Sequence, residues 1–311
     1  MKNMLLPLLS TLSLALPAAA QHEPTRDQAW SEIPFATTLE TEVVEVGMEH
    51  RSGHVLVDVW IHAEGPYQFV LDTCAGGHGC IDASLAEELG LEQIGRVATG
   101  DGTGENGSFA DLVRVEALQV GDAAFEGLRM VITPEAVSGQ ASLGRGILGI
   151  GLFRELMLTL DYGKSKVRIT DASLDSKAPN VVPLYQGSGV PEIDIQIGET
   201  SMRAHVDSGN MGGLLLPGSY KETLELGGEL RSAGQGQTIA NNFEMWAAPL
   251  AESLAFAGHE LVETDASFAD IFRTANLGYG VLSRYELTID SKNSLAAFVP
   301  VSTVARPPTR H

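Results

Sequence analysis

The chain repeats a short pattern, and this repeat constrains the fold more than any other feature of the sequence. Leu-Gly-x-Gly, six further residues and then Leu-Thr-(Leu/Ile)-Asp occur at 148–161 and again at 277–290, 129 positions later. Upstream, Val-Leu-Asp-Thr at 70–73 parallels His-Val-Asp-Ser at 205–208, 135 positions apart. Two landmarks in the same order predict two copies of a unit of about 120 residues, too few copies for a solenoid.

Each copy shows the alternation of a β-strand before its aspartate. Apolar residues alternate with polar residues from Val55 to Ile61 and from Ile193 to Ile197. A period of two is that of a half-buried strand. In the first copy the chain then reaches Gly65-Pro66, where we predict a turn. Each of the two aspartates, Asp72 and Asp207, is therefore predicted to follow the second strand of a hairpin.

Glycine content and the scarcity of helical periodicity predict an all-β fold with few short helices. The chain has 34 Gly among 311 residues, which suggests many turns, and its hydrophobic content of 44% is that of a globular protein. The clearest helix candidate is Ala83 to Leu89, with Asp82 as N-cap and Gly90 after its end.

The repeat predicts two tandem lobes related by a pseudo-two-fold axis. The predicted segments are a signal peptide at 1–20, an N-terminal tail at 21–40, a first lobe at 41–172, a linker at 173–189, a second lobe at 190–300 and a C-terminal tail at 301–311.

The N-terminus predicts export. Lys2 precedes an apolar run from Met4 to Leu16, and small residues follow up to Ala20. This order is typical of a secretory signal peptide that is cleaved after its small residues. We therefore expect a periplasmic or secreted protein with no stable membrane insertion after the signal is removed.

Net charge argues against nucleic-acid partners. Acidic residues outnumber basic residues by 40 to 20, which gives a formal net charge of −20. Such a surface repels phosphate backbones.

We also expect no cofactor and no metal. The G-x-G-x-x-G matches at 102–107 and 144–149 lie outside any βαβ pattern, and no second His follows His259-Glu260 at zinc-ligand spacing.

The two cysteines leave two alternatives open. Cys74 and Cys80 are the only cysteines of the chain. In an oxidising compartment they form a disulfide if their Cα atoms come within about 7 Å. Otherwise they are two free buried thiols.

Two carboxylates in equivalent turns have a defined chemistry when they meet. Like charges a few ångströms apart cannot both ionise, so Asp72 and Asp207 would share a proton. One carboxylate can then take a proton from a water that attacks a peptide carbonyl, while the other donates a hydrogen bond to the carbonyl oxygen. The hydroxyls of Thr73 and Ser208 are suited to brace the two turns, and Gly209 lets the backbone approach a carboxylate. The alternative is that both aspartates only cap their turns.

These motifs resemble those of the aspartic proteases. Asp72-Thr73 and Asp207-Ser208-Gly209 resemble the first motif of that family, Asp-Thr/Ser-Gly. Ile147-Leu148-Gly149 and Asn276-Leu277-Gly278 resemble its second motif. The repeat length is similar to that of the bacterial retropepsin-like group, in which such a lobe usually pairs as a dimer. Here both lobes lie in one chain, so the resemblance, which covers Val55 to Val299, implies a monomer.

The resemblance implies an aspartic-type endopeptidase, a hydrolase with an acid or mildly acid optimum and a peptide or protein substrate. Asp72 and Asp207 would be catalytic. It also implies a substrate-covering flap in each lobe, for which the glycine-rich candidates are 100–104 and 233–236.

Two positions depart from the family pattern. Cys74 stands where the family has Gly, and Asn276 replaces an apolar residue. We expect a side chain at position 74 to strain the turn. Cys74 therefore favours an alternative, a catalytically inactive member of the fold that binds peptides in the inter-lobe cleft. A third alternative, a structural β-rich envelope protein, predicts carboxylates more than about 8 Å apart.

Overall fold

The computed structural model describes residues 36–103, 107–133, 144–238 and 241–301. The predicted signal peptide and most of both predicted tails lie outside the described residues. Strands dominate the described part and helices are few and short, so the all-β class is confirmed. No helix within these ranges is long and apolar enough to cross a membrane. The pseudo-two-fold relation and the domain boundaries stay predictions.

The secondary-structure elements are mostly short strands. The strands are β1 (Ala36–Leu39), β2 (Val43–Gly47), β3 (Glu49–Arg51), β4 (His54–Ile61), β5 (Glu64–Asp72), β6 (Gly79–Asp82), β7 (Gln93–Thr99), β8 (Ser108–Val120), β9 (Ala123–Thr133), β10 (Gly146–Gly149), β11 (Met157–Asp161), β12 (Lys166–Thr170), β13 (Val181–Pro183), β14 (Glu192–Ile197), β15 (Thr200–Val206), β16 (Leu214–Pro217), β17 (Arg231–Gln237), β18 (Asn242–Pro249), β19 (Leu254–Phe256), β20 (His259–Leu261), β21 (Asp265–Ala269), β22 (Ala275–Leu277), β23 (Tyr285–Asp290) and β24 (Leu295–Pro300). The helices are α1 (Ala83–Glu88), α2 (Tyr279–Leu282) and two 3-10 helices at Ile150–Phe153 and Gly218–Glu222. In α1 the predicted N-cap is present, because the Asp82 side chain accepts a hydrogen bond from the Leu85 N–H.

The strands form three sheets. The first has nine strands in the order β1-β9-β6-β10-β5-β4-β8-β7, with β3 paired to β4. Another nine-stranded sheet runs β17-β18-β21-β16-β22-β15-β14-β19-β20. The third has six strands in the order β13-β24-β23-β11-β12-β2, so both halves of the sequence contribute to it.

The repeated Leu-Thr-(Leu/Ile)-Asp segments pair with each other in the six-stranded sheet. β11 and β23 run antiparallel, with Thr159 opposite Thr288. The hydroxyls of these two residues are 2.9 Å apart and hydrogen-bonded, and both residues are buried. The ends of the two sequence copies are therefore joined along one strand pair.

The first hairpin turns earlier than the sequence predicted. The turn between β4 and β5 is formed by His62 and Ala63, whereas Gly65 and Pro66 lie within β5. His62 and Ala63 both have positive φ, 52° and 66°. A two-residue turn with positive φ at both positions matches the twist of antiparallel strands, which explains why the hairpin closes here.

Two segments that the sequence left irregular contain strands. Residues 36–39 of the predicted N-terminal tail form β1, which pairs antiparallel with β9. Within the predicted linker, β13 pairs with β24 at the edge of the six-stranded sheet. Both segments thereby give their backbone N–H and C=O groups hydrogen-bond partners.

Strands parallel to the hairpins place the two aspartates. β10 lies parallel to β5 with Leu148 opposite Leu71, and β22 lies parallel to β15 with Leu277 opposite Val206. These four apolar residues are at most 1% exposed. Each aspartate is thus held at the end of a strand whose position is set by buried apolar side chains.

Candidate active site

Each aspartate is held by the backbone of its own turn. Asp72 ends β5, and its Oδ1 accepts hydrogen bonds from the N–H groups of Cys74 at 2.7 Å and Ala75 at 3.1 Å. Asp207 follows β15, and its Oδ1 accepts from the N–H groups of Gly209 at 2.9 Å and Asn210 at 3.1 Å. The two carboxylates are therefore anchored in the same way.

The structure brings Asp72 and Asp207 into direct contact. Their carboxyl groups interact although they lie far apart in sequence, and the Asp72 carboxyl lies against Gly209 of the facing turn. Burial raises the pKa of Asp72 from its usual 3.8 to about 7, and the charge of Asp207 contributes to the rise. Burial also raises the pKa of Asp207, against hydrogen bonds led by that of Asn276, which lower it. The pair can hold one proton between them over a wide pH range.

Thr73 and Ser208 lock the two turns together by reciprocal hydrogen bonds. The Thr73 hydroxyl donates to the Val206 carbonyl at 2.5 Å and accepts from the Ser208 N–H at 3.0 Å. The Ser208 hydroxyl donates to the Leu71 carbonyl at 2.8 Å and accepts from the Thr73 N–H at 3.0 Å. Both side chains are buried at 1% exposure. The separation of the two carboxylates is thus fixed by four bonds.

The third positions of the two turns have different surroundings. A Cβ on Gly209 would lie 2.4 Å from Cγ of Asp72, so this position has no room for a side chain. Cys74 has a negative φ, and its N–H still bonds Asp72. The expectation that a side chain at position 74 strains the turn stays a prediction, although the φ of Cys74 lies outside the left-handed region and its Sγ lies 3.7 Å from the Val206 carbonyl oxygen.

The cysteines are free thiols in the structure, the second of the two alternatives. Cys74 faces Val206 and Asp207 at the facing turn. Cys80 lies in β6 between β9 and β10, and its thiol interacts with the Thr133 side chain and the Ile147 backbone. Burial raises the pKa of Cys80 to about 12 and that of Cys74 well above its usual range, so both thiols are protonated at neutral pH.

Gly149 and Gly278 of the second motif pack against the turns that carry the two aspartates. A Cβ on Gly149 would lie 2.7 Å from the Ala75 carbonyl oxygen, and a Cβ on Gly278 would lie 2.6 Å from that of Gly212. The next N–H in each copy, of Ile150 or Tyr279, donates to the turn at 3.0 and 2.8 Å respectively. Only glycine permits this approach, which supports each aspartate from below.

Asn276 contacts Asp207, one of the two paired aspartates. The sequence alone identified Asn276 only as a departure from the family pattern. Its Nδ2 donates to Oδ2 of Asp207 at 2.5 Å, and its Oδ1 accepts from Nδ2 of Asn210 at 2.7 Å. The available signal was a pair of polar residues, 210 and 276, whose repeat equivalents are Ala75 and Ile147. Because both positions are polar in the second copy and apolar in the first, the pair indicates a contact between residues 210 and 276.

The predicted flap segments lie in hairpins whose loops contact each other. Asp101 follows β7, and its carboxylate accepts hydrogen bonds from the Thr238 hydroxyl and, at 2.7 Å, from the Asn241 amide. Gly104 lies outside the described residues. The second candidate, 233–236, lies within β17 and not at the loop, which falls between β17 and β18.

Two surface cavities lie away from the aspartates. One, of about 460 Å³, includes Trp60 and Asp58; the other, of about 420 Å³, includes Thr159 and Thr288. Neither is lined by Asp72 or Asp207. Among the described residues, no group of three or more His, Cys, Asp or Glu side chains could hold a metal ion. The inter-lobe cleft stays a prediction.

A β-rich chain in which two hydrogen-bonded turns bring a pair of aspartates together is compatible with an aspartic peptidase. The comparison with known families agrees. Residues 57–152 match a family described as Aspartyl protease. The match includes Asp72 and Gly149 and ends before Asp207. No curated protein was found to match the chain. The family domain indicates hydrolase activity of the aspartic peptidase type.

Proposed function

We propose that the protein is an aspartic-type endopeptidase that hydrolyses peptide bonds through a water activated by Asp72 and Asp207. The observation that carries the proposal is that the two turns are hydrogen-bonded to each other and bring the carboxyl groups of Asp72 and Asp207 together. This contact also argues against a structural envelope protein, for which the two carboxylates have no reason to meet. Turn capping alone would be served by the backbone bonds of each aspartate and needs no second carboxylate.

The chemistry requires one proton on the pair. The ionised carboxylate takes a proton from water as the water oxygen attacks the peptide carbonyl carbon. The protonated carboxyl donates its hydrogen bond to the carbonyl oxygen, which becomes a hydroxyl of the tetrahedral intermediate. A proton then passes to the amide nitrogen, the C–N bond breaks, and the carboxyl and amine products leave. The two aspartates end as they began, with one proton between them.

The raised pKa of Asp72 sets the upper end of the active pH range. The one-proton state persists until the pair loses its second proton, and the pKa of Asp72 is about 7. At lower pH, protonation of the second carboxylate removes the base. We therefore propose activity at mildly acid to near-neutral pH, with a fall above about pH 7.

The remaining features of the proposal follow from the sequence. Because both aspartates lie in one chain, the active form is a monomer. The N-terminal signal directs it to the periplasm or outside the cell, where it acts on a peptide or protein substrate. The braced turns of Thr73 and Ser208 support a pre-formed site that needs no partner chain.

A second candidate function is peptide binding without cleavage, which the Cys74 side chain in the first turn favours. Two observations weaken it. The Cys74 N–H bonds Asp72 as a glycine N–H would, and the φ of Cys74 is negative. The thiol of Cys74 nevertheless lies beside Asp207, where it could interfere with a bound water.

The decisive experiment is cleavage of a mixed peptide library by the chain from residue 21 onward, between pH 3 and 8. Asp72→Asn and Asp207→Asn should each abolish cleavage, because neither variant can hold the one-proton pair. The matched control is Asp58→Asn, which changes an exposed aspartate on β4 and should cleave like the wild type. Cleavage that survives in either dyad variant would disprove the mechanism.

If the folded wild type cuts nothing, a binding measurement separates the alternatives. A peptide carrying a tetrahedral hydroxyl carbon mimics the transition state of a peptidase, so a catalytic dyad binds it far more tightly than the parent peptide. A peptide-binding protein without catalysis would bind the two equally.

A further inference from the structure

We infer that Asn276 is a positioning residue that keeps the shared proton of the dyad on Asp72, which makes Asp207 the carboxylate that receives a proton from the attacking water. The inference rests on the proposed function and deepens it, because it assigns different roles to two aspartates that their own turns hold alike.

A chain of hydrogen bonds fixes which way the Asn276 amide points. The backbone N–H of Gly212 donates to Oδ1 of Asn210 at 2.8 Å. Because a backbone N–H can only donate, Asn210 must present its oxygen there and its NH₂ group to Asn276. Asn276 accepts through Oδ1 at 2.7 Å and so turns its own NH₂ group toward Asp207. The bond to Asp207 is therefore an amide donor on a carboxylate oxygen.

An amide donor at Oδ2 of Asp207 favours the ionised form. A proton on that oxygen would compete with the Asn276 N–H at 2.5 Å, and a hydrogen bond to the charged form of a carboxyl stabilises that form. In agreement, the Asn276 bond is the largest of the contributions that lower the pKa of Asp207 against its burial.

Among the described residues, Asp72 has no equivalent of this amide donor. Ile147 lies opposite Val70 in the β10–β5 pair, as Asn276 lies opposite His205 in the β22–β15 pair, two residues before each aspartate. Ile147 packs in an apolar cluster with Leu56 and Val70. Within the described part of the chain, Asp72 accepts hydrogen bonds from its two turn N–H groups and from no side-chain amide, so it is the member that holds the proton.

The assignment has a consequence for substrate binding. Protonated Asp72 donates to the carbonyl oxygen of the scissile bond, and ionised Asp207 binds and deprotonates the water. The carbonyl oxygen therefore lies on the first-lobe side and the water on the second-lobe side. A dyad of two equal members would permit either arrangement.

The test is the pH dependence of kcat/KM for Asn276→Leu, which replaces the donor by the apolar residue type found at position 147. Loss of a hydrogen bond to a charged group should move the acid limb of the profile upward by about one to two pH units. Asn210→Ala removes the anchor of the Asn276 amide, together with the acceptor of the Gly212 N–H, and leaves the Asn276 donor in place, so it should move the same limb less. Ile147→Val alters packing at the equivalent position beside Asp72 and should leave both limbs in place.

A second readout needs no activity and separates this inference from the proposed function. The stability difference between wild type and Asn276→Leu is measured by urea denaturation from pH 3 to 8. If Asn276 stabilises ionised Asp207, the difference is small at low pH and grows as Asp207 ionises. A purely structural asparagine gives a difference that does not change with pH. That result, or an acid limb that stays in place, would overturn the inference even if the wild type proves to be a peptidase.

Discussion

Replacing Asp72 by Asn should abolish cleavage and stabilise the folded protein, and the stabilisation should depend on pH. The pKa of Asp72 rises from its usual 3.8 to about 7 in the folded protein. The folded state therefore binds a proton that the unfolded state releases, so this group's stabilising contribution is complete below pH 3.8 and is lost as pH rises toward 7. Asn resembles the protonated carboxyl at every pH, so the variant does not lose this stability as the pH rises.

The magnitude follows from the same pKa values. A pKa difference between 3.8 and about 7 corresponds to about 4 kcal/mol of unfolding free energy above pH 7, and to little below pH 4. Since a domain is stable by only about 5–15 kcal/mol, the gain at pH 8 is large. It is an upper figure, because neighbouring groups relax when the pair ionises.

Urea denaturation followed by tryptophan fluorescence at pH 4, 6 and 8 measures the difference. Asp72→Asn should match the wild type near pH 4 and exceed it increasingly at pH 6 and 8. Asp58→Asn, an exposed aspartate of the same sheet, should follow the wild type throughout. A gain that is equal at all three pH values, or a loss at pH 8, would refute the idea that two buried carboxyls share a proton.

Two further predictions concern the turns and the hairpins. Gly209→Ala should destabilise the protein by about 1–3 kcal/mol and abolish activity, because the new Cβ would lie 2.4 Å from Cγ of Asp72, whereas Cys74→Gly should remain active. Equal effects of these two substitutions, in cleavage and urea denaturation, would contradict the different surroundings of the third positions. Asp101→Ala removes the acceptor of the Asn241 amide and should make the two hairpins more sensitive to limited proteolysis and raise KM more than it lowers kcat. Unchanged proteolysis would show that this contact does not hold the hairpins.

The sequence predicted the fold class because its evidence was local and repeated. Alternation from Val55 to Ile61 and from Ile193 to Ile197 placed the hairpin strands, and the repeat placed an aspartate after each hairpin. The pairing of β11 with β23 could not be predicted from the alternation of apolar and polar residues. It joins segments far apart in the chain, and alternation within a strand does not identify the partner strand.

The sequence indicated which two aspartates meet, but it did not indicate the differences between their surroundings. Asp-Thr/Ser motifs indicate which groups can meet, because they specify turns. Whether a side chain at position 74 is tolerated depends on the space across the interface between the lobes, and a Cβ is blocked at Gly209 but not at Cys74.

Asn276 shows why the sequence alone did not reveal the difference between the two aspartates. Compared with the family pattern, Asn276 is a polar residue at an apolar position, and burying a polar group without a hydrogen-bond partner is unfavourable. Its amide becomes favourable only because Asn210 satisfies its oxygen and Asp207 accepts from its nitrogen, two partners on the facing turn. A departure from a motif is thus best interpreted together with its spatial neighbours, since a polar group that is fully bonded to a catalytic carboxylate can tune the pair as well as support it.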